Sequence, residues 1–244
     1  MGGVVVVQAT PASPAADPRE RRHNPIRTDL ELALRRAVDP WSSVRRAFDV
    51  AFALLTLTLG APLFALLVLA VRCSSRGPVF YAQLRVGRRG RAFHCWKFRT
   101  MVRDADQRLA ALLGDDPVLA REFAVAHKLR RDPRVTKVGR FLRRTSLDEL
   151  PQFFNVLRGD MSVVGPRPIV WDEAVHYGHL LAGVLTVRPG LTGLWQVSGR
   201  NKLSYEARVA LQAQSARPAS LRRDLVIVVR TALLMLPWRD SGAF

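Results

Sequence analysis

Apolar and polar positions recur along this chain with different periods, and each period predicts a kind of element. From Ala51 to Val71 there is no charged residue, an apolar run about as long as the ~20 residues that cross a bilayer core. From Val79 to Val86 and from Ala92 to Phe98 the alternation has period two. That predicts two strands joined through Gly87 to Gly90, a hairpin with Arg88, Arg89 and Arg91 at its tip. Helical spacing carries Leu109, Leu112 and Leu113 ahead of Gly114, then a helix opened by Asp116 and Pro117 that runs toward Leu129. It returns in Leu150, Phe153, Phe154 and Leu157, where Ser146 with Glu149 makes a capping-box pattern at the start and Gly159 predicts the stop. Asp148 is then expected in the first turn, where the helix dipole keeps a carboxylate ionised.

The uncharged run admits a spanning helix, a buried core helix or a re-entrant hairpin. Pro62 removes the backbone bond to the carbonyl of Thr58 and Gly60 loosens the same turn, so a bend is expected, with the hydroxyls of Thr56 and Thr58 close to the freed carbonyls. Arg45 and Arg46 precede the run and Arg72 and Arg76 follow it, so the positive-inside rule places both ends on one side. A helix that enters, breaks at Ala61 and Pro62 and returns meets both conditions.

Around this frame the pattern is weaker. Residues 1–27 hold a short Val4 to Val7 run, four prolines and the cluster Arg19, Arg21, Arg22; the run is too short for a signal peptide and reads as part of a disordered arm. Thr28 and Glu31 cap a short helix lined by Leu30, Ala33, Leu34, Ala37 and Val38, which either lies on a membrane surface or docks on the core. Leu221 to Trp238 is an apolar helix with Arg222, Arg223 and Arg230, suited to a membrane surface.

Composition narrows the partners. A net charge of +18 and a pI near 11.5 call for anions, whether nucleic acid, an acidic membrane face or phosphorylated substrates. No helix-turn-helix, zinc or RNP pattern supports nucleic acid. Cys73 and Cys95 stand far apart without a C-x-x-C, which indicates neither a zinc site nor a disulfide framework and suits a reducing, cytosolic setting.

The densest chemistry lies between Arg143 and Pro168. Asp148 and Glu149 are adjacent carboxylates, Arg140, Arg143 and Arg144 stand ahead of them, and Gly165 to Pro168 is a stiff turn presenting Arg167. A structural reading is equally open here: Glu149 as a cap, Asp148 as a dipole partner, the arginines as solvated charges. Asp104 and Asp106 match a D-x-D metal pattern but also suit the opening of a helix, and His176 with His179 lacks a third metal ligand. Gly190, Gly193, Gly199 and Arg200 lie in a turn-rich loop whose amides suit a phosphate.

Three strings at consistent spacing, KFRTM at Lys97 to Met101, RRTSLDELPQFFNVLRGDMSVVGPRP at Arg143 to Pro168 and RPGLTGLWQVSGRN at Arg188 to Asn201, closely resemble the bacterial sugar transferases, the monotopic phosphoglycosyl transferases. The likeness runs from about Arg45 to the C-terminus. It implies an α+β fold, mainly helical with a small β-hairpin sheet, and a re-entrant membrane helix broken at Pro62. The expected divisions are an N-terminal extension over 1–44, the membrane helix over 45–78 and a catalytic domain over 79–244 on the cytoplasmic face of the bacterial inner membrane. It implies transfer of a sugar 1-phosphate from a UDP-sugar to undecaprenyl phosphate with release of UMP, Asp148 as nucleophile and Glu149 as the ligand of Mg²⁺. Lys97, Arg99, Arg143, Arg167, Arg200 and Asn201 are the expected phosphate contacts. Family members usually carry an acidic and two aromatic residues where this chain has Gln212, Gln214 and Ser215. The competing readings are a metal-dependent glycosyltransferase that uses Asp104 and Asp106 and releases UDP, and a non-catalytic basic binding protein.

Overall fold

The computed structural model of the protein describes residues 5–7, 42–126, 129, 131–199, 203–217 and 220–235. The helix expected after Thr28, and Arg200 with Asn201, lie outside the described residues. The uncharged run is a bent pair, α1 (Ser42–Leu59) and α2 (Ala61–Ser74), with 66° between them. The break falls at Gly60, one residue ahead of the expected position. Gly60 still donates to the Thr56 carbonyl (2.9 Å), whereas Pro62 sits in the first turn of α2, where its missing N–H costs nothing. A Cβ on Gly60 would meet the Thr56 oxygen at 2.6 Å. No single helix among the described residues is long and apolar enough to cross a membrane, but the pair together has the length and composition.

One flank of the pair is anchored. Ala53 packs with Cys95, Val156 and Met161, while Leu67 and Val71 pack with Phe98 and Leu142. The opposite flank leaves Leu54, Leu55, Leu59, Leu63, Leu66 and Leu69 exposed, Leu59 by 74%.

The predicted hairpin forms as β2 (Phe80–Val86) and β3 (Ala92–Phe98), antiparallel in a register that runs from Phe80↔Phe98 to Val86↔Ala92. The valine run expected in a disordered arm instead contributes β1 (Val5–Val7), parallel to β2 with Val5 opposite Tyr81. β-Branched residues suit that open edge. At the other edge, the fully buried Asn155 acts as a short surrogate strand: its side-chain oxygen accepts from Trp96 N (3.1 Å) and its nitrogen donates to the His94 carbonyl (2.8 Å).

The helices α3 (Ala105–Asp115) and α4 (Pro117–Ala126) follow as patterned, with Asp116 Oδ1 accepting from Val118 and Leu119 N–H. α5 (Lys137–Thr145) is capped by the Thr136 hydroxyl, which accepts from Gly139 N (2.9 Å). Gly139 lets α5 press against the exit of β3, since a Cβ there would stand 2.0 Å from the Thr100 carbonyl oxygen.

The capping box expected at Ser146 is not formed. Ser146 closes α5 in the left-handed region (φ 57°), its side chain caps nothing, and Leu147–Glu149 make one 3₁₀ turn. The cause is Pro151. A helix begun at Ser146 needs the N–H of residue 151 to reach the carbonyl of Leu147, and proline has none. Leu150 N bonds that carbonyl instead, and α6 (Gln152–Arg158) starts beyond the proline, ending at Gly159 as predicted (φ 88°). The apolar face also divides: Leu150 joins the α2 cluster, Phe153 and Leu157 join the α1 cluster, and Phe154 stays 44% exposed.

A second small sheet pairs β4 (Ser162–Val164) with β5 (Gly190–Thr192) in parallel. Between and after them come α7 (Trp171–Ala174), α8 (Leu181–Val184), α9 (Leu194–Val197), α10 (Tyr205–Ser215) and α11 (Leu221–Leu234). The architecture is thus α+β, mainly helical with two small sheets.

Candidate active site

Four elements converge on the acidic pair. β3 supplies Lys97, whose ammonium bonds Glu149 Oε1 at 2.6 Å and stands 3.8 Å from Asp148 Oδ2. The 3₁₀ turn supplies both carboxylates. α5 supplies Arg143, aimed by a 2.9 Å bond from its Nε to the Thr100 hydroxyl, and Thr100 is held by the Gly139 approach. β2 supplies Tyr81, opposite Lys97 in the register.

Asp148 is 8% exposed. Burial pushes its pKa up, against the pull of Lys97; the Glu149 charge raises it further and Arg143 lowers it. The expected stabilisation by a helix dipole is therefore outweighed, because α6 begins only at Gln152 and the carboxylate is desolvated. Burial likewise pushes the Arg143 pKa down while Asp148 pulls it up. The result is a carboxylate short of solvent, faced by two cations.

Strand periodicity brings further groups to this face. Tyr81, Gln83 and Arg85 alternate along β2, opposite Lys97, Cys95 and Phe93. Arg85 bonds Gln83 Oε1 (2.6 Å) and the Pro168 carbonyl (3.2 Å), so it ties β2 to the proline-flanked turn. Cys95 lies beneath this face in the apolar core: burial pushes its pKa up, Lys97, Arg85 and Arg167 lower it and Glu149 raises it. Arg167 has its guanidinium 5.3 Å from the centre of the Trp195 ring, with Arg208 at 4.4 Å from that ring.

Arg99 requires correction as a phosphate contact. It is 8% exposed and its guanidinium reaches the carbonyls of Pro78, Ser75 (2.6 Å) and Val71 (3.3 Å), so it closes the C-terminal end of α2. Alternation alone would put residues 97 and 99 on one face, but the strand ends at Phe98 and releases Arg99 from that pattern. Asp104 is exposed and pairs with Arg108 (2.8 Å) at the head of α3, and His176 stacks edge-on to Tyr205. Among the described residues no group of three or more His, Cys, Asp or Glu side chains is placed to hold a metal. At Asp148 and Glu149 two hard carboxylates stand within reach of one cation, Lys97, which fits an ion that takes one or two protein carboxylates and completes its shell with phosphate oxygens and water. The Gln212 and Ser215 departure has a packing role. Both are buried, and Ser215 Oγ donates to Leu211 O and accepts from Leu194 N, joining α10 to α9.

Thr100 and Asn155 lie inside the recognised strings without a role assigned to them there, and Arg85 lies outside them. The visible clues are the polar positions at every second residue of β2 and the amide of Asn155 between the apolar Phe154 and Val156 of α6.

Fold and site define a class: a small α+β domain on a bent apolar helix pair, with a buried Asp148 and a half-buried Glu149 faced by an ammonium and a guanidinium group. The chain belongs to the bacterial sugar transferase family, which matches residues 41–237. It is 49% identical over 187 residues to the exopolysaccharide production protein ExoY of Rhizobium meliloti, covering 77% of this chain and 83% of that protein. It is 45% identical over 201 residues to an undecaprenyl-phosphate galactose phosphotransferase of Salmonella typhimurium, covering 82% of this chain and 42% of that one. A UDP-glucose:undecaprenyl-phosphate glucose-1-phosphate transferase of Escherichia coli is 40% identical, with 39% of its length covered. The chain therefore spans less than half the length of these last two relatives.

Proposed function

We propose that the protein transfers a sugar 1-phosphate from a UDP-sugar to undecaprenyl phosphate through a covalent intermediate on Asp148. The observation that carries this reading is the buried Asp148 carboxylate held between Lys97 and Arg143. An Asp148 oxygen bonds to the sugar-bearing phosphorus, the anhydride bond to the other phosphate breaks, and UMP leaves with the electron pair. An oxygen of undecaprenyl phosphate then attacks the same phosphorus, forming the diphosphate and releasing the Asp148 carboxylate.

Lys97 and Arg143 face the nucleophile and balance charge on the transferring group, while Arg167, over the Trp195 ring, is a further candidate donor for the phosphates. Glu149 would hold Mg²⁺, which supplies neutralisation of phosphate charge when bound. The unpartnered leucines of α1 and α2 support seating of the pair in the inner membrane as a re-entrant hairpin, with the site on the cytoplasmic face beside the acceptor's phosphate.

The test is nucleotide release from detergent-solubilised protein with Mg²⁺, undecaprenyl phosphate and a panel of UDP-sugars. UMP from wild type with one sugar, and none from Asp148→Asn, is the expected result. UDP as the product, or full activity in Asp148→Asn, overturns the covalent reading.

A further inference from the structure

A cavity of about 80 Å³ is lined by neither member of the acidic pair and by neither Lys97 nor Arg143. It lies where the first turns of α1 meet β4 and the segment ahead of β5, and its wall carries the guanidinium groups of Arg45, Arg46, Arg88 and Arg188 against a single carboxylate, Asp49. That carboxylate is already engaged, accepting from Ser162 Oγ (2.9 Å) and Val163 N (2.8 Å). Arg45 pairs with Asp224 at 2.7 Å.

Two of the remaining three arginines are anchored so that part of each stays available. Arg88 donates through Nε to the Thr186 carbonyl (2.8 Å), and Arg188 through Nε to the Gly159 carbonyl (2.8 Å). Neither has a protein acceptor for its terminal Nη groups among the described residues. Arg46 donates both Nη groups to the carbonyls of Val156 and Leu157. Burial, then the charges of Arg46 and Arg88, push the Arg188 pKa down against the pull of Asp49. Folding does not gather guanidinium groups around an open cavity without cost, and a bound oxyanion removes that cost through bidentate bonds.

We propose that this cavity is a phosphate-binding site separate from the reaction centre, with Arg88 and Arg188 as its principal donors. Two sources carry that chemistry, an anionic phospholipid headgroup and free phosphate. The charged start of α1 lies just ahead of the uncharged run, at headgroup depth on the seat proposed above, and this favours the lipid. The cavity wall includes Gly165, directly before the turn that presents Arg167, so an occupant also braces that turn.

Binding is read without turnover, so failure of the transfer reaction leaves the test intact. Full-length protein in neutral detergent is titrated with inorganic phosphate, and separately with phosphatidylglycerol or phosphatidylcholine in the micelles, following the melting midpoint. A saturable rise is expected with phosphatidylglycerol and not with phosphatidylcholine; a rise with inorganic phosphate alone would assign the site to free phosphate. Arg88→Gln should weaken binding roughly tenfold or more, the scale of one lost charge-assisted hydrogen bond, and Lys97→Met should leave it unchanged. On wild type, the occupant should slow phenylglyoxal labelling of Arg88 and Arg188 at least several-fold, a readout that survives even if Arg88→Gln folds poorly. No saturable rise with either anion, wild-type binding in Arg88→Gln, loss of binding in Lys97→Met, or unprotected arginines overturns the proposal.

Discussion

Replacing Asn155 by alanine should loosen the strand that carries Lys97. The amide is wholly buried and replaces a missing strand at the edge of β3, taking the Trp96 N–H and serving the His94 carbonyl. Truncation leaves both backbone groups without that partner in a buried site. Each orphan costs about 1–3 kcal/mol, so the pair amounts to roughly 2–6 kcal/mol. A third bond, to Asp160 Oδ2 at 3.2 Å, is lost as well. With roughly 2–4 °C per kcal/mol for a chain of this size, the melting midpoint in detergent should fall on the order of 5–20 °C. Asn155→Asp should fare no better, because its carboxylate still accepts from Trp96 but faces the His94 carbonyl and Asp160 with no proton to give. A midpoint within about 2 °C of wild type for Asn155→Ala would refute the surrogate-strand argument.

Other perturbations test the site and its supports. Asp148→Asn should abolish transfer yet raise the melting midpoint at neutral pH. The folded pKa of Asp148 lies above its unfolded value, so the ionised form destabilises the fold above the folded pKa, and that penalty fades as pH falls toward the ordinary carboxylate value near ~3.9. The midpoint gap between variant and wild type should therefore be widest at neutral pH and close on acidification; a gap that widens on acidification would reverse the assigned cause. Thr100→Val removes the acceptor that aims Arg143 and should lower kcat/KM roughly tenfold to a hundredfold, with Thr100→Ser restoring most of it. Gly139→Ala should lower both the melting midpoint and the yield of folded protein, since its methyl group would press into the Thr100 carbonyl, and a wild-type midpoint would show that α5 can shift freely.

Much of this was legible in the chain wherever a pattern was local. The hairpin followed from alternation and glycines, the bend from Gly60 and Pro62, the end of α6 from Gly159. Ser146 misled because two rules met there: a serine three residues before a glutamate signals a start, but Pro151 withholds the N–H that such a start requires. Arg99 misled because its neighbour Lys97 serves the acidic pair, while the strand ends between them and carries Arg99 to the carbonyls of α2. Asn155, Thr100 and Asp49 act across distances of chain that no short window spans, and only the packed structure pairs them with His94, Arg143 and Ser162.

The grip of Arg46 on α6 has a mechanical consequence. Its guanidinium holds the carbonyls of Val156 at 2.6 Å and Leu157 at 2.8 Å, so the first turns of α1 are bolted to the helix that follows the acidic pair. On the proposed seat, the protein carries its own depth gauge: the height of Asp148 above the lipid tails is set by this clamp and not by the bilayer. Transfer should then hold its rate in vesicles of thin or thick lipid, and lose that indifference once the clamp is cut.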